Sequence, residues 1–332
     1  MTQAHLSRSS VSGAPPAGIR DYLAIARFDH MTKHVFIIPG IVLAYVLRGV
    51  YADNFILNLI LGLVSATCVA AANYVINEWL DRDFDKFHPS KSGRTAVNIR
   101  LNRAVVYGEY ALLVVIGLLT AFVVGLGFFV VSVAFVLSGI IYNVEPFRTK
   151  DHAFVDVLSE SLNNPIRLML GWAIVDPTTL PPSSLLLTYW MGGSFLMAAK
   201  RLSEYRSIAE VQGKQVLGKY RRSFNSYTAE TLMVSCLVYG MMSAFFLAVF
   251  LVKYRIEYLV ATPVIAGLFA QYFLLALKRD SVAQKPEKLF HEKRLMMNVA
   301  ATVAVHVVLT FVNIPLLDQL SSQHFINLPQ IR

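Results

Sequence analysis

A short acidic segment, residues 77–85, holds the side chains whose types and spacing most clearly suggest chemistry, because four acids fall within eight residues there. Asn77, Asp81 and Asp85 recur at every fourth residue, so on a helix they form one polar stripe about 12 Å long. Carboxylates at this spacing repel one another, and Mg²⁺ with a bound diphosphate relieves the repulsion. The stripe therefore predicts a magnesium and diphosphate site. A solvated acidic helix end at a membrane surface is the alternative.

Two short polar segments bring cations close to this stripe. Lys91 and Arg94 follow a turn at Pro89 and can fold back over the carboxylates, as a bound diphosphate would require. Simple neutralisation of the acids is the alternative for this pair. The segment 142–152 repeats the combination of a turn-forming proline with cations, and its predicted substrate ligands are Tyr142, Arg148 and Lys150.

Polar residues also enter the apolar runs beside the stripe. Asn73 lies one turn before Asn77 at bilayer depth, and buried amides need partners, so both are expected to face the interior of a helix bundle. The polar positions of 154–175 fall mostly on one helix face, where an arginine must be paired or line a cavity. The predicted substrate ligands are Asn73, Asn164 and Arg167. A structural pair between Arg167 and Glu160 or an asparagine is the alternative.

The most basic stretch is 200–228, which contains seven cations. Its first residues follow the exit of an apolar run and are predicted to bind phosphate, whereas Arg221 and Arg222 are expected to contact anionic lipid. Lys33, near the first apolar run, either anchors the chain to lipid headgroups or contacts substrate. The predicted substrate ligands of the basic stretch are Lys200, Arg201, Glu204, Tyr205 and Arg206.

The elements that must position these residues are membrane helices. The chain has 332 residues, 55% hydrophobic content, 15% charged residues and a mean hydropathy of +0.53, which excludes an ordinary soluble domain of this size. We expect an all-α bundle of nine transmembrane helices. Both cysteines fall in apolar runs, so a disulfide framework or a cysteine metal site is excluded. The nine apolar runs are 35–50, 55–79, 104–123, 125–142, 154–175, 184–199, 229–252, 258–278 and 295–317.

The distribution of Lys and Arg predicts the orientation. Most of the 30 basic residues fall on the side that carries the N-terminus, and only Arg48, Lys253, Arg255 and Arg332 fall on the other. Positive charge concentrates in cytoplasmic loops, so the N-terminus and the polar site are expected to face the cytosol from the inner membrane. Residues 1–19 are expected to form a flexible tail, 20–317 one transmembrane domain and 318–332 a C-terminal tail. No nucleic-acid partner is expected, and helix packing permits a homo-oligomer.

The segment from Asn77 to Asp85, followed by His88, Pro89 and Arg94, resembles the aspartate motif of the UbiA superfamily of intramembrane prenyltransferases. The resemblance covers about residues 20–317. Two features depart from the usual pattern: Glu78 stands where an aspartate is usual, and the second aspartate-rich motif is replaced by the segment 200–206. A similar replacement, together with Asp280-Ser281, Pro286-Glu287 and Arg294-Leu295, is typical of the branch that transfers phosphoribose to decaprenyl phosphate.

The resemblance implies a Mg²⁺-dependent enzyme whose metal ligands are Asn77, Glu78, Asp81 and Asp85 and whose catalytic residues are Asn77, Asp81 and Asp85. The substrates implied are phosphoribosyl pyrophosphate and a polyprenyl phosphate. One acidic motif with several cation-rich segments suits three phosphate groups better than a single prenyl diphosphate. An ordinary prenyltransferase acting on an aromatic or polar acceptor is the alternative, and a non-catalytic carrier of lipid phosphates is a third interpretation. Asp83 is either a further metal ligand or a partner of Lys86.

Overall fold

The computed structural model describes residues 15–50, 54–278, 281–284, 289 and 291–321, and this part of the chain is almost entirely helical. The predicted tails lie largely outside these residues, as do Asp280, Pro286 and Glu287. The α-helices are α1 (Ile19–Ile25), α2 (Ile38–Arg48), α3 (Phe55–Asp85), α4 (Thr95–Asn98), α5 (Arg103–Val124), α6 (Leu126–Asn143), α7 (Val155–Ser161), α8 (Asn163–Val175), α9 (Ser183–Gln212), α10 (Lys214–Tyr220), α11 (Ala229–Tyr254), α12 (Thr262–Ala276), α13 (Lys293–Phe311) and α14 (Pro315–Ser321).

Seven helical segments of the described chain are long and apolar enough to cross a membrane. The count of nine spans stays a prediction, because 154–175 and 184–199 do not qualify by length and composition. The seven segments are Ile19–Arg48, Phe55–Asp85, Arg103–Val124, Leu126–Asn143, Ala229–Tyr254, Ile256–Ala276 and Lys293–Phe311.

Three predicted boundaries were wrong. The run 154–175 is two helices, α7 and α8, separated at Leu162. Pro165 lies just beyond the break, and a proline there has no N–H to donate to the carbonyl of Ser161. The segment 200–212, expected to be a loop, continues α9, because it contains no glycine or proline and Gly213 follows it with a left-handed φ of +80°. The run 295–317 ends as a helix at Phe311, shortly before Pro315 begins α14.

The described chain divides into two compact units, Met1–Pro181 with Ile208–Tyr227, and Pro182–Ser207 with Thr228–Arg332. The core of the first unit is formed by α3, α6 and α8, through buried side chains such as Val69, Phe128 and Leu170. Helix α5 packs along α3, where the Ser65 hydroxyl donates to the carbonyl of Gly117 at 2.8 Å. These packed helices fix the backbone that carries the acidic stripe.

Glycines allow the closest helix contacts of the first unit. A Cβ atom at Gly40 of α2 would lie 2.1 Å from the carbonyl oxygen of Leu168, and one at Gly171 of α8 would lie 2.0 Å from that of Ile37. Backbone therefore touches backbone at this crossing, as is common where small residues meet in membrane helices. The division between the predicted runs 104–123 and 125–142 is confirmed, since α5 ends at Val124 and α6 begins at Leu126, with only Gly125 between them at φ +146°.

The second unit contains the first part of α9 with α11, α12 and α13. Arg255 joins two of these elements, because its side chain donates from Nε to the carbonyl of Leu309 at 2.8 Å and from Nη2 to that of Val312 at 2.9 Å. Side chains of α9, α11 and α12, among them Phe195, Met241 and Phe269, line an almost wholly apolar cavity of about 620 Å³. This unit therefore contains a space suited to hydrocarbon.

Candidate active site

Helix α3 carries the acidic stripe to its C-terminal end. The helix runs without interruption to Asp85, so Asn77, Asp81 and Asp85 lie about 40° apart around its axis, as their spacing predicts. Asp83 points to the other side, is exposed and pairs with Lys86 at 2.8 Å. This pair agrees with the second of the two roles considered for Asp83.

Asp81 is paired with two cations from the segment between α6 and α7. Its Oδ1 atom lies 2.9 Å from Nη2 of Arg148 and 2.6 Å from Nζ of Lys150. The Arg148 side chain also donates to Asp151 at 3.0 Å and to the carbonyl of Asn143 at 3.0 Å. Its backbone has φ +30°, in the left-handed region that non-glycine residues rarely adopt. The fold thus places a guanidinium and an ammonium group on one carboxylate oxygen.

Lys150 and Asn77, the amide residue of the stripe, share a hydrogen-bond acceptor in Asn143. Its ammonium group donates to Oδ1 of Asn143 at 2.9 Å, and Asn77 donates to the same oxygen at 2.6 Å. Burial lowers the pKa of Lys150 to about 8, although the Asp81 carboxylate opposes the shift. The ammonium form still predominates at neutral pH. Asn143 was missed in the sequence because an asparagine at a helix end usually serves as a cap.

Asp85 of the stripe and the neighbouring Glu78 are both buried. Arg94 donates from Nη1 to Oδ2 of Asp85 at 2.5 Å, which confirms that this arginine folds back over the acids. Glu78 is buried and accepts a hydrogen bond from the amide of Ala96 at 3.4 Å. The ammonium group of Lys91 lies 5.7 Å from the ring centroid of Tyr220.

A third buried acid, Asp156 of α7, organises a network that the sequence did not predict. Its carboxylate accepts from the hydroxyl of Tyr227 at 2.6 Å, the hydroxyl of Ser223 at 3.2 Å and Nη1 of Arg221 at 3.2 Å. Arg221 also donates to the hydroxyl of Tyr142, which itself donates to Glu160 at 2.8 Å. The assignment of Arg221 to lipid contact was therefore wrong. Its partners are more than 60 residues away, so no local pattern could reveal them.

A group of cations lies deeper along α3, around Tyr74. Lys33 donates to the Tyr74 hydroxyl at 3.0 Å, and the guanidinium of Arg27 lies 6.0 Å from the ring centroid. Arg167 is buried and lies close enough to Tyr74 for direct electrostatic interaction. It donates to the backbone carbonyl of Asn163 at 3.2 Å, a structural contact with an asparagine of the kind considered as the alternative for this arginine.

The two predicted asparagine ligands are placed differently from each other. Asn73 donates to the carbonyl of Phe135 at 3.2 Å and packs over Gly139, where a Cβ atom would lie 1.9 Å from its Oδ1. This contact gives Asn73 a role in packing α3 against α6. Asn164 is half-buried on the first turn of α8.

The predicted ligands of the basic stretch lie on α9 in the second unit. Arg201 is fully buried and pairs with Glu204 at 3.2 Å, so its charge is already balanced within the helix. Tyr205 is buried, Lys200 is half-buried and Arg206 is exposed. The pattern that predicted a phosphate-binding loop therefore describes one helix with an internal ion pair.

The donor set around the stripe suits a magnesium ion that arrives with its substrate. Among the described residues, no three His, Cys, Asp or Glu side chains are grouped closely enough to hold a metal by themselves. Asp81 and Asp85 are the acids of the stripe with cationic partners, and Mg²⁺ commonly uses one or two carboxylates with phosphate oxygens and water. These residues fit Mg²⁺ bound to a diphosphate better than a free ion.

Comparisons with known proteins agree with this fold. The profile of the UbiA prenyltransferase family matches residues 36–299. The chain is 26% identical over 246 residues to protoheme IX farnesyltransferase of Alkalihalophilus pseudofirmus, a match that covers 70% of this chain and 76% of that protein. A UbiA homologue of Archaeoglobus fulgidus, solved with GPP and Mg²⁺, superposes with a TM-score of 0.64 at 19% identity, covering 88% of this chain and 100% of that one. A digeranylgeranylglyceryl phosphate synthase superposes with a TM-score of 0.60 at 15% identity and covers 88% of this chain and 99% of that one.

The apolar helices and the buried, charge-paired stripe define an integral membrane protein with a polar site. More specifically, the chain belongs to the UbiA prenyltransferase family, because the family profile spans most of its length. It is an enzyme of that superfamily.

Proposed function

We propose that this protein transfers 5-phosphoribose from phosphoribosyl pyrophosphate to a polyprenyl phosphate and releases pyrophosphate. The observation that carries the proposal is the presence of two separate cation groups along α3. Arg148 and Lys150 contact Asp81, whereas Lys33 and Arg167 lie near Tyr74. A prenyl diphosphate with a neutral acceptor needs one such group. Phosphoribosyl transfer brings a diphosphate, a 5-phosphate and a lipid phosphate together, and so needs more.

In this proposal the stripe and its cations hold the leaving group. Asp81 and Asp85, with Asn77 and Glu78, would hold Mg²⁺, which when bound stabilises the departing diphosphate as a Lewis acid. Arg148, Lys150 and Arg94 already lie beside these carboxylates and would bind the diphosphate oxygens through charge-assisted hydrogen bonds. The lipid phosphate is an anion before it attacks C1 of ribose, so a strong general base is unnecessary.

The second candidate function is transfer of an isoprenyl group from its diphosphate to an aromatic or polar acceptor. Its support comes from the comparisons, because the related protein is a farnesyltransferase and the A. fulgidus homologue was solved with GPP and with DMAPP. In that reaction the diphosphate at the stripe belongs to the lipid. The two candidates therefore differ in the donor and share the aspartates.

Pyrophosphate release separates the two candidates. The purified protein in detergent would be mixed with Mg²⁺, phosphoribosyl pyrophosphate and a polyprenyl phosphate, and each substrate would be omitted in turn. We expect release that needs both substrates, together with a phosphoribosylated lipid detected by mass spectrometry. Release only from an isoprenyl diphosphate with an acceptor would instead establish the prenyltransferase. Binding of lipid phosphate without any release would indicate the carrier.

A further inference from the structure

Two of the cations around Tyr74, Lys33 and Arg167, lack acidic partners in the part of the chain that the structure describes. Lys33 and Arg167 form no ion pair with a carboxylate anywhere in the described ranges, and the contact of Lys33 is the neutral hydroxyl of Tyr74. The side chain of Arg167 is 6% exposed, and its Nε atom has no hydrogen-bond partner among the described residues. A buried guanidinium with an unused donor is costly in an apolar bundle unless an anion accepts from it.

Several elements of the first unit hold these cations together. The 3₁₀ segment Phe28–Ile37 carries Lys33, α8 carries Arg167, and the two segments pack on each other and on α3. The Arg167 guanidinium stacks over the ring of Phe135 at 5.1 Å, which fixes its plane. His34 lies on the same 3₁₀ segment and carries no negative charge that could pair with these cations. Its Nε2 lies 3.3 Å from the hydroxyl of Thr67, and its Nδ1 has no hydrogen-bond partner among the described residues. The group is therefore ordered and positively charged before any ligand binds.

This group faces the same way along α3 as the acidic stripe. Thr67, Tyr74 and Asp81 are spaced by seven residues, so each lies only about 20° around the helix from the last. Tyr74 is two turns before Asp81, which is about 10.5 Å along the axis. One helix face thus presents a cation group at Tyr74 and, two turns further on, the paired carboxylate of Asp81.

We propose that Lys33 and Arg167 form a second anion subsite, which binds a phosphate monoester two helical turns away from the diphosphate at Asp81. The inference rests on the proposed function, in which two phosphate monoesters are present: the 5-phosphate of the donor and the phosphate of the polyprenyl lipid. Both present a dianion with oxygens that accept from a guanidinium and an ammonium group. Tyr74 positions Lys33 and does not itself need to contact the ligand.

Ligand-induced stabilisation tests the subsite without any need for turnover. The unfolding temperature of the detergent-solubilised full chain would be measured with inorganic phosphate alone and with Mg²⁺ and pyrophosphate. We expect Lys33→Met and Arg167→Met to lose the shift caused by phosphate and to keep the shift caused by Mg²⁺ and pyrophosphate. Asp81→Asn should show the opposite pattern. Full phosphate shifts in both Lys33→Met and Arg167→Met would overturn the proposal.

Matched variants control for the loss of a cation as such. Lys253 also lies over a tyrosine ring, 5.8 Å from the centroid of Tyr254, and Arg103 lies 5.4 Å from that of Tyr107. Lys253→Met and Arg103→Met should leave the phosphate shift unchanged. Lys33 is half-buried, so Lys33→Met still tests the subsite if Arg167→Met fails to fold. The variant Tyr74→Phe, which removes only the hydroxyl, provides a further test.

Steady-state kinetics identify which phosphate is bound. In Lys33→Met the KM should rise roughly ten- to hundredfold, because hydrogen bonds to charged groups have that effect on affinity. A rise confined to phosphoribosyl pyrophosphate assigns the subsite to the 5-phosphate, and one confined to the polyprenyl phosphate assigns it to the lipid. If wild-type protein does not turn over these substrates but its phosphate shift depends on Lys33, the subsite stands and the proposed function is wrong. Unchanged KM values for both substrates in an active Lys33→Met enzyme would contradict the subsite.

Discussion

Asp81 accepts two cations on one oxygen, so its side chain is already neutralised before substrate binds. In the proposed function, Arg148 and Lys150 would bind diphosphate oxygens, and the Asp81 carboxylate would then be available to hold Mg²⁺. Each group would thereby keep a partner of opposite charge. Free Mg²⁺ without diphosphate would instead have to displace Arg148 and Lys150 from Asp81, and only Arg148 would keep a carboxylate partner, Asp151, among the described residues.

Replacing Asp81 tests its catalytic assignment. We expect Asp81→Asn to reduce turnover at least about a hundredfold, since it removes the carboxylate that would hold the metal. The fold should persist, because Arg148 keeps its contacts with Asp151 and with the Asn143 carbonyl. Pyrophosphate release and circular dichroism would measure the two properties.

Asp83 supplies the matched control for that substitution. It lies two residues from Asp81, is exposed and pairs with Lys86. Asp83→Asn should change activity by less than about twofold, since exposed ion pairs contribute little. An active Asp81→Asn enzyme, or an inactive Asp83→Asn enzyme, would show that the stripe has been assigned wrongly.

Asp176 illustrates a titratable group whose role is stability. Burial alone would raise its pKa, but hydrogen bonds from Thr179, Thr178 and Arg48 outweigh burial and hold the pKa of Asp176 well below its usual range. These contacts tie the end of α8 to the end of α2.

The stabilisation by Asp176 should depend on pH in a definite direction. A carboxyl group whose pKa is lowered by folding contributes its full stabilisation when the pH is above its pKa in the unfolded chain, which is 3.8. The stabilisation declines as the pH falls below that value. Wild type should therefore unfold at a higher temperature than Asp176→Asn near neutral pH, and the difference should shrink in acid. A difference that grows as the pH falls would contradict this assignment.

At the scale of elements, the crossing of α2 and α8 depends on two glycines. A methyl group at Gly171 would lie 2.0 Å from the carbonyl oxygen of Ile37, so the backbones would have to separate. We expect Gly171→Ala to destabilise the protein by roughly 1–3 kcal/mol or more, as overpacking does, and to lower the unfolding temperature in detergent.

Gly108 provides the matched control within a helix. It lies in α5, and a Cβ atom there would meet no other atom within 4 Å. Gly108→Ala should leave the unfolding temperature unchanged or raise it, because alanine favours a helix over glycine by up to about 1 kcal/mol. Equal destabilisation by both substitutions would mean that the close contact between α2 and α8 does not determine the unfolding temperature.

The sequence predicted most elements but few of the contacts between them. Apolar runs located α3, α5, α6 and α11, because the bilayer demands long apolar helices. The break at Leu162 was missed because the polar residues around it, Ser159 to Asn164, were interpreted as part of the polar face of a single helix. The spacing of the stripe was predictable because it is local to α3. The hydrogen bonds to Asn143 and the network around Asp156 could not be predicted, because they join segments that only folding brings together.

For the molecule as a whole, the distribution of charge makes a testable statement about topology. With the N-terminus inside, the loop after Asp85 should be reached from the cytosol and the segment after Phe311 from the opposite side. Single cysteines at Ser92 and at Asn313, in a chain whose two native cysteines are replaced, would be labelled with a maleimide that does not cross membranes. Ser92→Cys should react in inverted vesicles and Asn313→Cys in right-side-out vesicles. Labelling of both from one side would disprove the predicted orientation.

The apolar wall of the cavity in the second unit affects which hydrocarbon shapes can bind there. Its wall offers almost no donor or acceptor, and contact between hydrocarbon groups has no preferred direction. Such a wall does not distinguish cis from trans double bonds, or one branch position from the next, as long as the volume fits. Hydrocarbon bound in this cavity would be selected by its volume, so the cavity would accept a mixed pool of isoprenoids.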